Sequence, residues 1–244
     1  MKTNKFTRLL AVLLSVLMVA SSLPLVANAG DTQTGTISQS ESVLVCNKDP
    51  QNRVNTTKGF NIINDSGTDN VTVGLWNYKF SSLESVSSAT LTASLKDYAA
   101  INDSQSLSVK FYYLNPADLG SYITVSGGKN YTASFTTTKS DNQAMTVSDI
   151  ESEFGVSQSN FIKEIPHSTS NGNYDLDVSA ALNTAIANNW SGITFMAMQS
   201  SEHVGGVVNG TDNGWSDQWF TLGNINWSRT SVTADEMKAL LDEY

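Results

Sequence analysis

The sequence predicts an all-β protein, a jelly-roll-like antiparallel β-sandwich with two or three short helices. Three observations lead there. Short runs alternate apolar with polar residues, Asn/Gly/Ser clusters separate those runs, and only 15% of the 244 residues are charged. Turn residues are abundant and long helical patterns are scarce.

The first segment is set apart from this pattern. Lys2, Lys5 and Arg8 precede an apolar run from Leu9 to Ala20, and Ala27-Asn28-Ala29 offers the small-x-small pattern read by a signal peptidase. The run is shorter than the roughly 20 residues a membrane-spanning helix needs, so residues 1–29 are expected to be a cleaved signal peptide. No later stretch is apolar enough to span, which predicts a secreted product without membrane insertion. Residues 30–41, polar and rich in Thr, Ser and Gln, read as a flexible leader.

From Ser42 the sandwich domain is expected to run over residues 42–229. Ala89, Leu91, Ala93 and Leu95 alternate with Thr90, Thr92 and Ser94, so one face is apolar and the other hydroxyl-rich. Leu107, Val109, Phe111 and Tyr113 alternate with Ser108, Lys110 and Tyr112 in the same way. Further strands are expected at Ser42 to Cys46, Asn70 to Phe80, Tyr122 to Ser126, Tyr131 to Thr138, Asn160 to Ile165, Ile193 to Gln199 and Trp219 to Trp227. Within Asn70 to Phe80 the apolar parity moves from Val71, Val73 and Leu75 to Trp76, Tyr78 and Phe80, which predicts a bulge or bend.

Helices interrupt the strands at three places. Thr146 to Phe154 ends at Gly155, a C-terminal stop, and Asp177 can cap Val178 to Asn188, whose Ala181, Leu182, Ala185 and Ile186 share a stripe. Thr233 with Glu236 forms a capping box that predicts a C-terminal helix within residues 230–244.

Charge and cysteine content narrow the function classes. The formal charge is −9, and removal of Lys2, Lys5 and Arg8 with the signal makes the mature chain more acidic still. That sign argues against nucleic acid and anionic membrane surfaces as partners. Cys46 is the one cysteine, so no intramolecular disulfide forms; its place in Val43-Leu44-Val45-Cys46 predicts a buried strand residue.

The order of segments then resembles a known family. Tyr78-Lys79-Phe80-Ser81-Ser82-Leu83 followed by Val86-Ser87-Ser88-Ala89-Thr90-Leu91 resembles the opening passage of DNRLRE-type domains, which are similar to family 96 carbohydrate-binding modules. Asn173-Tyr174-Asp175-Leu176-Asp177-Val178-Ser179-Ala180-Ala181-Leu182 and Ser191-Gly192-Ile193-Thr194-Phe195-Met196-Ala197 resemble the blocks that follow, with Ser200-Ser201-Glu202 and Gln218 to Leu222 in the closing positions. Lys79 stands where the family has arginine, and Asn115 to Gly172 is longer than its counterpart. The resemblance implies a jelly-roll-like accessory domain, non-catalytic, in some members binding polysaccharide.

Sugar recognition needs flat π-faces for the C–H side of a pyranose and amide or carboxylate groups for its hydroxyls. Asn209 to Trp219 supplies both, and the expected ligand residues are Trp215, Trp219, Asp212 and Asp217, with Tyr112 as a further platform on the polar face of its strand. The competing expectation is that Trp215 folds over its loop and Trp219 packs under the C-terminal helix. Trp76, Trp190 and Trp227 sit beside apolar residues and read as core.

No cofactor is expected. The oxygen-rich stretches Asn64 to Asn70 and Asp212 to Asp217 offer calcium-type ligands, yet neither has the spacing of a calcium loop, and turn formation explains the same residues. His167 and His203 are the only histidines and fall in polar loops, and no HExxH, GxSxG or P-loop pattern occurs. The expected role is attachment to a polysaccharide or glycan. The alternatives are a structural or cell-surface interaction protein without a sugar ligand and a small glycan-active enzyme with converging acidic groups.

Overall fold

The computed structural model describes residues 32–47, 53–65, 70–98, 108–123, 131–136, 145–166, 170–201, 207–208, 211–212 and 218–231. The chain divides at Thr32/Gln33 and at Arg229/Thr230, and the fold below is that of the unit Gln33–Arg229. The expected signal peptide, residues 1–29, and the C-terminal helix from Thr233 lie outside the described residues.

Two sheets form a β-sandwich. The front sheet runs β11 (Gly172–Asp177), β7 (Ser88–Tyr98), β15 (Gln218–Thr230), β4 (Gly59–Asn61) and β3 (Val54–Asn55), with β1 (Thr32–Ile37) also paired to β15. The back sheet runs β10 (Phe161–Pro166), β8 (Ser108–Leu114), β12 (Gly192–Gln199), β6 (Asn70–Lys79), β2 (Glu41–Cys46) and β9 (Tyr131–Ser134), with β5 (Asn64–Asp65) on β6. A short ribbon of β13 (Val207–Val208) and β14 (Thr211–Asp212) is separate.

The topology follows from one long antiparallel hairpin folded over on itself. The nested pairs are β8 with β10, β7 with β11, β6 with β12 and β4 with β15; β7–β15 and β8–β12 contacts then close each sheet. This is the strand order of a jelly roll. One pairing departs from the antiparallel expectation: β9 lies parallel to β2 at the edge, with Val43 opposite Tyr131 and Cys46 opposite Ser134.

Between the sheets sits the main core. Leu91, Leu95, Phe111, Phe195, Phe220, Tyr78 and Trp76 are all at or below 2% exposure, and their alternation along the strands is the period of two that the sequence displays. Phe111 of the back sheet meets Phe220 of the front sheet edge-on at 5.6 Å, joining the two sheets, and Tyr78 meets Phe195 on the neighbouring strand of the back sheet at 5.5 Å. The Tyr78 hydroxyl donates to the Gly223 carbonyl at 2.6 Å, where β15 bulges between Leu222 and Ile225. Burial raises the Tyr78 phenol well above its ordinary range, so it remains a donor.

A second apolar cluster covers the outer face of the back sheet. Val43, Val45, Val71, Val73, Leu75, Tyr112, Met196 and Met198 meet Leu119, Tyr122, Met145, Ile150, Phe154 and Val156. The covering residues come from the long segment between Asn115 and Gly172. Its helix α1 (Val147–Phe154) starts with a Thr146/Asp149 capping box and ends at Gly155, whose φ of 62° is the left-handed turn that glycine permits. Cys46, 4% exposed, is buried in β2 between Thr72 of β6 and Ser134 of β9, as its neighbours predict.

This double burial corrects the bulge expected in Asn70 to Phe80. Register is continuous from Glu41 opposite Asn77 to Cys46 opposite Thr72, and from Gly192 opposite Lys79 to Ala197 opposite Gly74. Val71, Val73 and Leu75 face the second cluster while Trp76 and Tyr78 face the first, so the parity switch marks a strand apolar on both sides. Gly74 is required on the inner side, because a Cβ there would lie 2.4 Å from the Trp76 ring.

Two further expectations change. The stretch Tyr122 to Ser126 was expected as a strand, but Pro116–Leu119 forms a 3₁₀ turn running into a helical turn at Gly120–Ile123. Asn115 caps it by accepting from the Ala117 N–H at 3.1 Å, a local bond that competes with extended pairing. Within the expected flexible leader, Thr32–Ile37 is a strand: Ile37 reaches the core at 8% exposure, the Thr36 hydroxyl donates to Asn226 at 3.1 Å, and Arg229 donates to Gln33 from two nitrogens. Helix α2 (Ser179–Ala187) closes one end of the core with Ala181, Leu182 and Ala185, and Asn183 accepts from and donates to the backbone of Val86.

Candidate functional site

The outer face of the front sheet is open. Its side chains form rows across neighbouring strands, because β11 and β7 are continuous in register and β15 pairs with β7 on either side of its shifts at Trp219/Phe220 and Leu222/Ile225. Thr221 lies opposite Ser94 and Ser94 opposite Asn173; Thr92 lies opposite Asp175; Asn226 lies opposite Thr90 and Thr90 opposite Asp177. All of these are exposed or half-exposed, while their strand neighbours Leu91, Ala93, Leu95 and Leu176 are buried.

The rows are linked by hydrogen bonds between hydroxyls and acceptors. Thr92 donates to the Asp175 carboxylate at 2.9 Å and Ser94 donates to the Asn173 carbonyl at 2.7 Å. At the β11 edge the Lys163 ammonium donates to the Asp175 main-chain carbonyl at 2.9 Å. Asp177 turns to the helix start and accepts from the Ser179 hydroxyl at 2.6 Å and its N–H at 3.0 Å. Those two bonds, the hydroxyl first, hold the Asp177 carboxyl below its ordinary pKa against the opposing effect of burial. The sequence expected this capping role, and the Asp177 carboxylate fulfils it one residue before the formal cap, Val178.

Trp219 stands at one end of this face. It is half-buried at the start of β15, opposite Asn61 of β4, with the buried Gln218 and Phe220 on either side. The Lys58 ammonium lies 5.9 Å from its ring centroid, a cation–π contact worth about 0.5–1 kcal/mol at an exposed site. Asn55 sets that lysine by accepting from the N–H groups of Thr57 and Lys58 at 2.8 and 3.0 Å. Gly59, at φ 88°, lets the tight β3–β4 turn press on β15, where a Cβ would lie 2.1 Å from the Phe220 carbonyl oxygen.

The other expected site residues are placed differently. Tyr112 is 3% exposed, its ring edge-on to Phe161 at 5.8 Å and its hydroxyl donating to Glu151 of α1 at 3.2 Å. A sugar platform needs a free π-face, so Tyr112 belongs to the second core and not to a ligand site. The cause is the layer from Asn115 to Gly172, which turns the formally outer face of β8 into an interior. Trp215 and Asp217 lie outside the described residues, as do His167 and His203; Asp212 is described only as backbone in β14.

Of the remaining tryptophans, Trp76 is core at 2% exposure, packed on Phe60 at 5.1 Å, while Trp190 and Trp227 are partly buried against the same core. Within the oxygen-rich stretch Asn64 to Asn70, the Asn64 side chain is fully buried opposite Val71, and residues 66–69 lie outside the described residues. Among the described residues no three His, Cys, Asp or Glu side chains gather as a metal site.

Sequence reasoning noticed the hydroxyl-rich face of β7 without nominating it. Its signal was the alternation of Thr90, Thr92 and Ser94, joined by the matching alternation of Asn173, Asp175 and Asp177 on the neighbouring strand. Neither run alone reveals that the two lie side by side. No family model matches the chain, and no curated protein matches it.

Proposed function

We propose that this chain is a secreted, non-catalytic carbohydrate-binding module that attaches to a polysaccharide or glycan. The observation that carries the reading is the open polar face of the front sheet with the half-buried Trp219 at its end. An indole supplies the apolar surface for a pyranose ring, and neighbouring hydroxyl, amide and carboxylate groups supply partners for its hydroxyls. The resemblance of segment order to DNRLRE-type domains supports the same role, as does a jelly-roll scaffold that many binding domains share. The acidic groups Asp175 and Asp177 of this face are engaged in cross-strand and capping bonds, which favours binding over hydrolysis. Trp215 and Asp217, from the loop just before Trp219, belong to the proposed site as neighbours in sequence.

Affinity electrophoresis through gels containing soluble polysaccharides tests the reading. The wild type is expected to be retarded by at least one polymer, and Trp219→Ala to lose about tenfold in affinity, as the removal of a stacking contact of roughly 1.4 kcal/mol implies. Retardation that persists undiminished in both Trp219→Ala and Trp215→Ala would place the ligand elsewhere.

A further inference from the structure

We propose that the ligand site extends over the whole open face of the front sheet and that it takes an extended neutral polysaccharide; the inference rests on the carbohydrate-binding reading above. Successive outward positions on a strand are about 6.6 Å apart and strands are about 4.8 Å apart, so the Thr221–Ser94–Asn173 and Thr92–Asp175 rows present a grid of donors and acceptors that is continuous across β7 and β11 and broken on β15 by the shifts at Trp219/Phe220 and Leu222/Ile225. From Trp219 along β15 to the row of Thr90 the grid spans on the order of 20 Å, room for several sugar rings in a line.

The chemistry of the grid selects the polymer. Each sugar hydroxyl both donates and accepts, and the rows offer both functions side by side: with the Thr92 and Ser94 protons given to Asp175 and Asn173, the oxygens of those hydroxyls and of the Asp175 carboxylate serve as acceptors and the Asn173 amide N–H groups as donors. An acceptor carboxylate strengthens a bond from a neutral hydroxyl and repels a uronate or sulfate at the same position. Of the cations nearby, Lys163 is engaged by a main-chain carbonyl at the β11 edge, Lys58 lies over the Trp219 ring, and Lys96 is exposed on β7 between Ser94 and the Trp219–Asp97 pair, at one end of the face. The formal charge of −9 adds a long-range bias in the same direction.

The test uses the full mature chain in affinity gels of two kinds, neutral (xylan, a mixed-linkage β-glucan, a mannan) and anionic (polygalacturonate, alginate), with melting curves run on every variant. The wild type is expected to be retarded by a neutral polymer and to pass the anionic gels freely. Thr92→Lys, which places a long cation in the middle of the grid, is expected to lose at least tenfold in affinity. Asp175→Asn, nearly isosteric and exposed, should lose severalfold without a change in melting temperature and so keeps the test open should Thr92→Lys fold poorly. Loss in Trp219→Ala with full binding in Asp175→Asn and Thr92→Lys overturns the extended site and leaves the carbohydrate reading standing. Retardation by the anionic gels in place of the neutral ones overturns the ligand class. Free passage of the wild type through every gel overturns the carbohydrate reading itself.

Discussion

The two sheets share one core and differ on their outer faces. Behind the back sheet, Tyr112, Met196 and Met198 are covered by Ile150, Phe154 and Tyr122; behind the front sheet, Thr92, Ser94 and Asp175 meet solvent. One fold therefore makes two kinds of strand. In β12 every residue from Gly192 to Gln199 is buried, whereas in β7 buried and exposed residues alternate from Ser88 to Leu95. The lesson is that the face left open is the one the chain equips with hydrogen-bonding groups, while the other is given to stability.

The strongest way to break this comparison is to cut the shared core and the covering layer separately. Phe195→Ala removes a fully buried ring that touches Tyr78 between the sheets, and it should cost about 3–5 kcal/mol in urea denaturation. Phe154→Ala removes a ring of the covering layer, 6% exposed and stacked near Tyr122 at 5.3 Å, and should cost less, about 2–3 kcal/mol. Equal losses at the two sites would mean that the layer over the back sheet is as integral to folding as the sandwich itself. The Tyr122 phenol, pushed up to about 12 by burial first and its bond to Glu153 second, stays protonated across that experiment's pH range.

A smaller effect sharpens the contrast between outer faces. Met196→Thr puts a hydroxyl into the second core, where Met196 is fully buried opposite Tyr112, and should cost about 2–3 kcal/mol. Thr92→Val removes a hydroxyl from the open face and should shift stability by no more than about 0.5 kcal/mol. Melting curves of the pair measure the asymmetry directly; similar losses would show that the front face is also load-sharing.

How much of this was legible follows from the same asymmetry. Strands of the front sheet with solvent on one side announce themselves, and the Ala89 to Leu95 alternation is borne out by β7. Strands buried twice do not: Val71 to Tyr78 is apolar on both parities, which imitates a bulge until the second cluster is visible. Tyr112 was misplaced for that reason, since alternation along β8 identifies two faces without telling that a segment thirty or more residues downstream covers the second. Thr32–Ile37 carries little apolar character, and it forms a strand because β15 offers an edge and Arg229 holds Gln33, both distant in sequence. For Trp219 the sequence leaves open a stacking platform or packing under the C-terminal helix, and the residue is half-buried at the start of β15, while Asn173 and Asp175 become candidates only when pairing sets them beside Thr92 and Ser94.

The smallest expected effect concerns Asp177, a residue of the open face that also serves the fold. Its carboxylate accepts from the Ser179 hydroxyl and N–H at the start of α2, and those bonds hold its pKa below the ordinary 3.8. Because the folded pKa is the lower of the two, the ionised form is favoured by folding. The stabilisation is therefore complete above the unfolded value and fades as pH falls through the folded one. Asp177 is exposed, so the loss in Asp177→Asn at pH 7 should be below about 1 kcal/mol, read as a melting temperature lower by roughly 2 °C. As pH falls through the lowered folded pKa and the wild-type carboxyl becomes protonated, the two melting curves should converge. A gap that stays constant across that range would mean that the Asp177 side chain stabilises α2 by shape and hydrogen bonding alone, without a contribution from its charge.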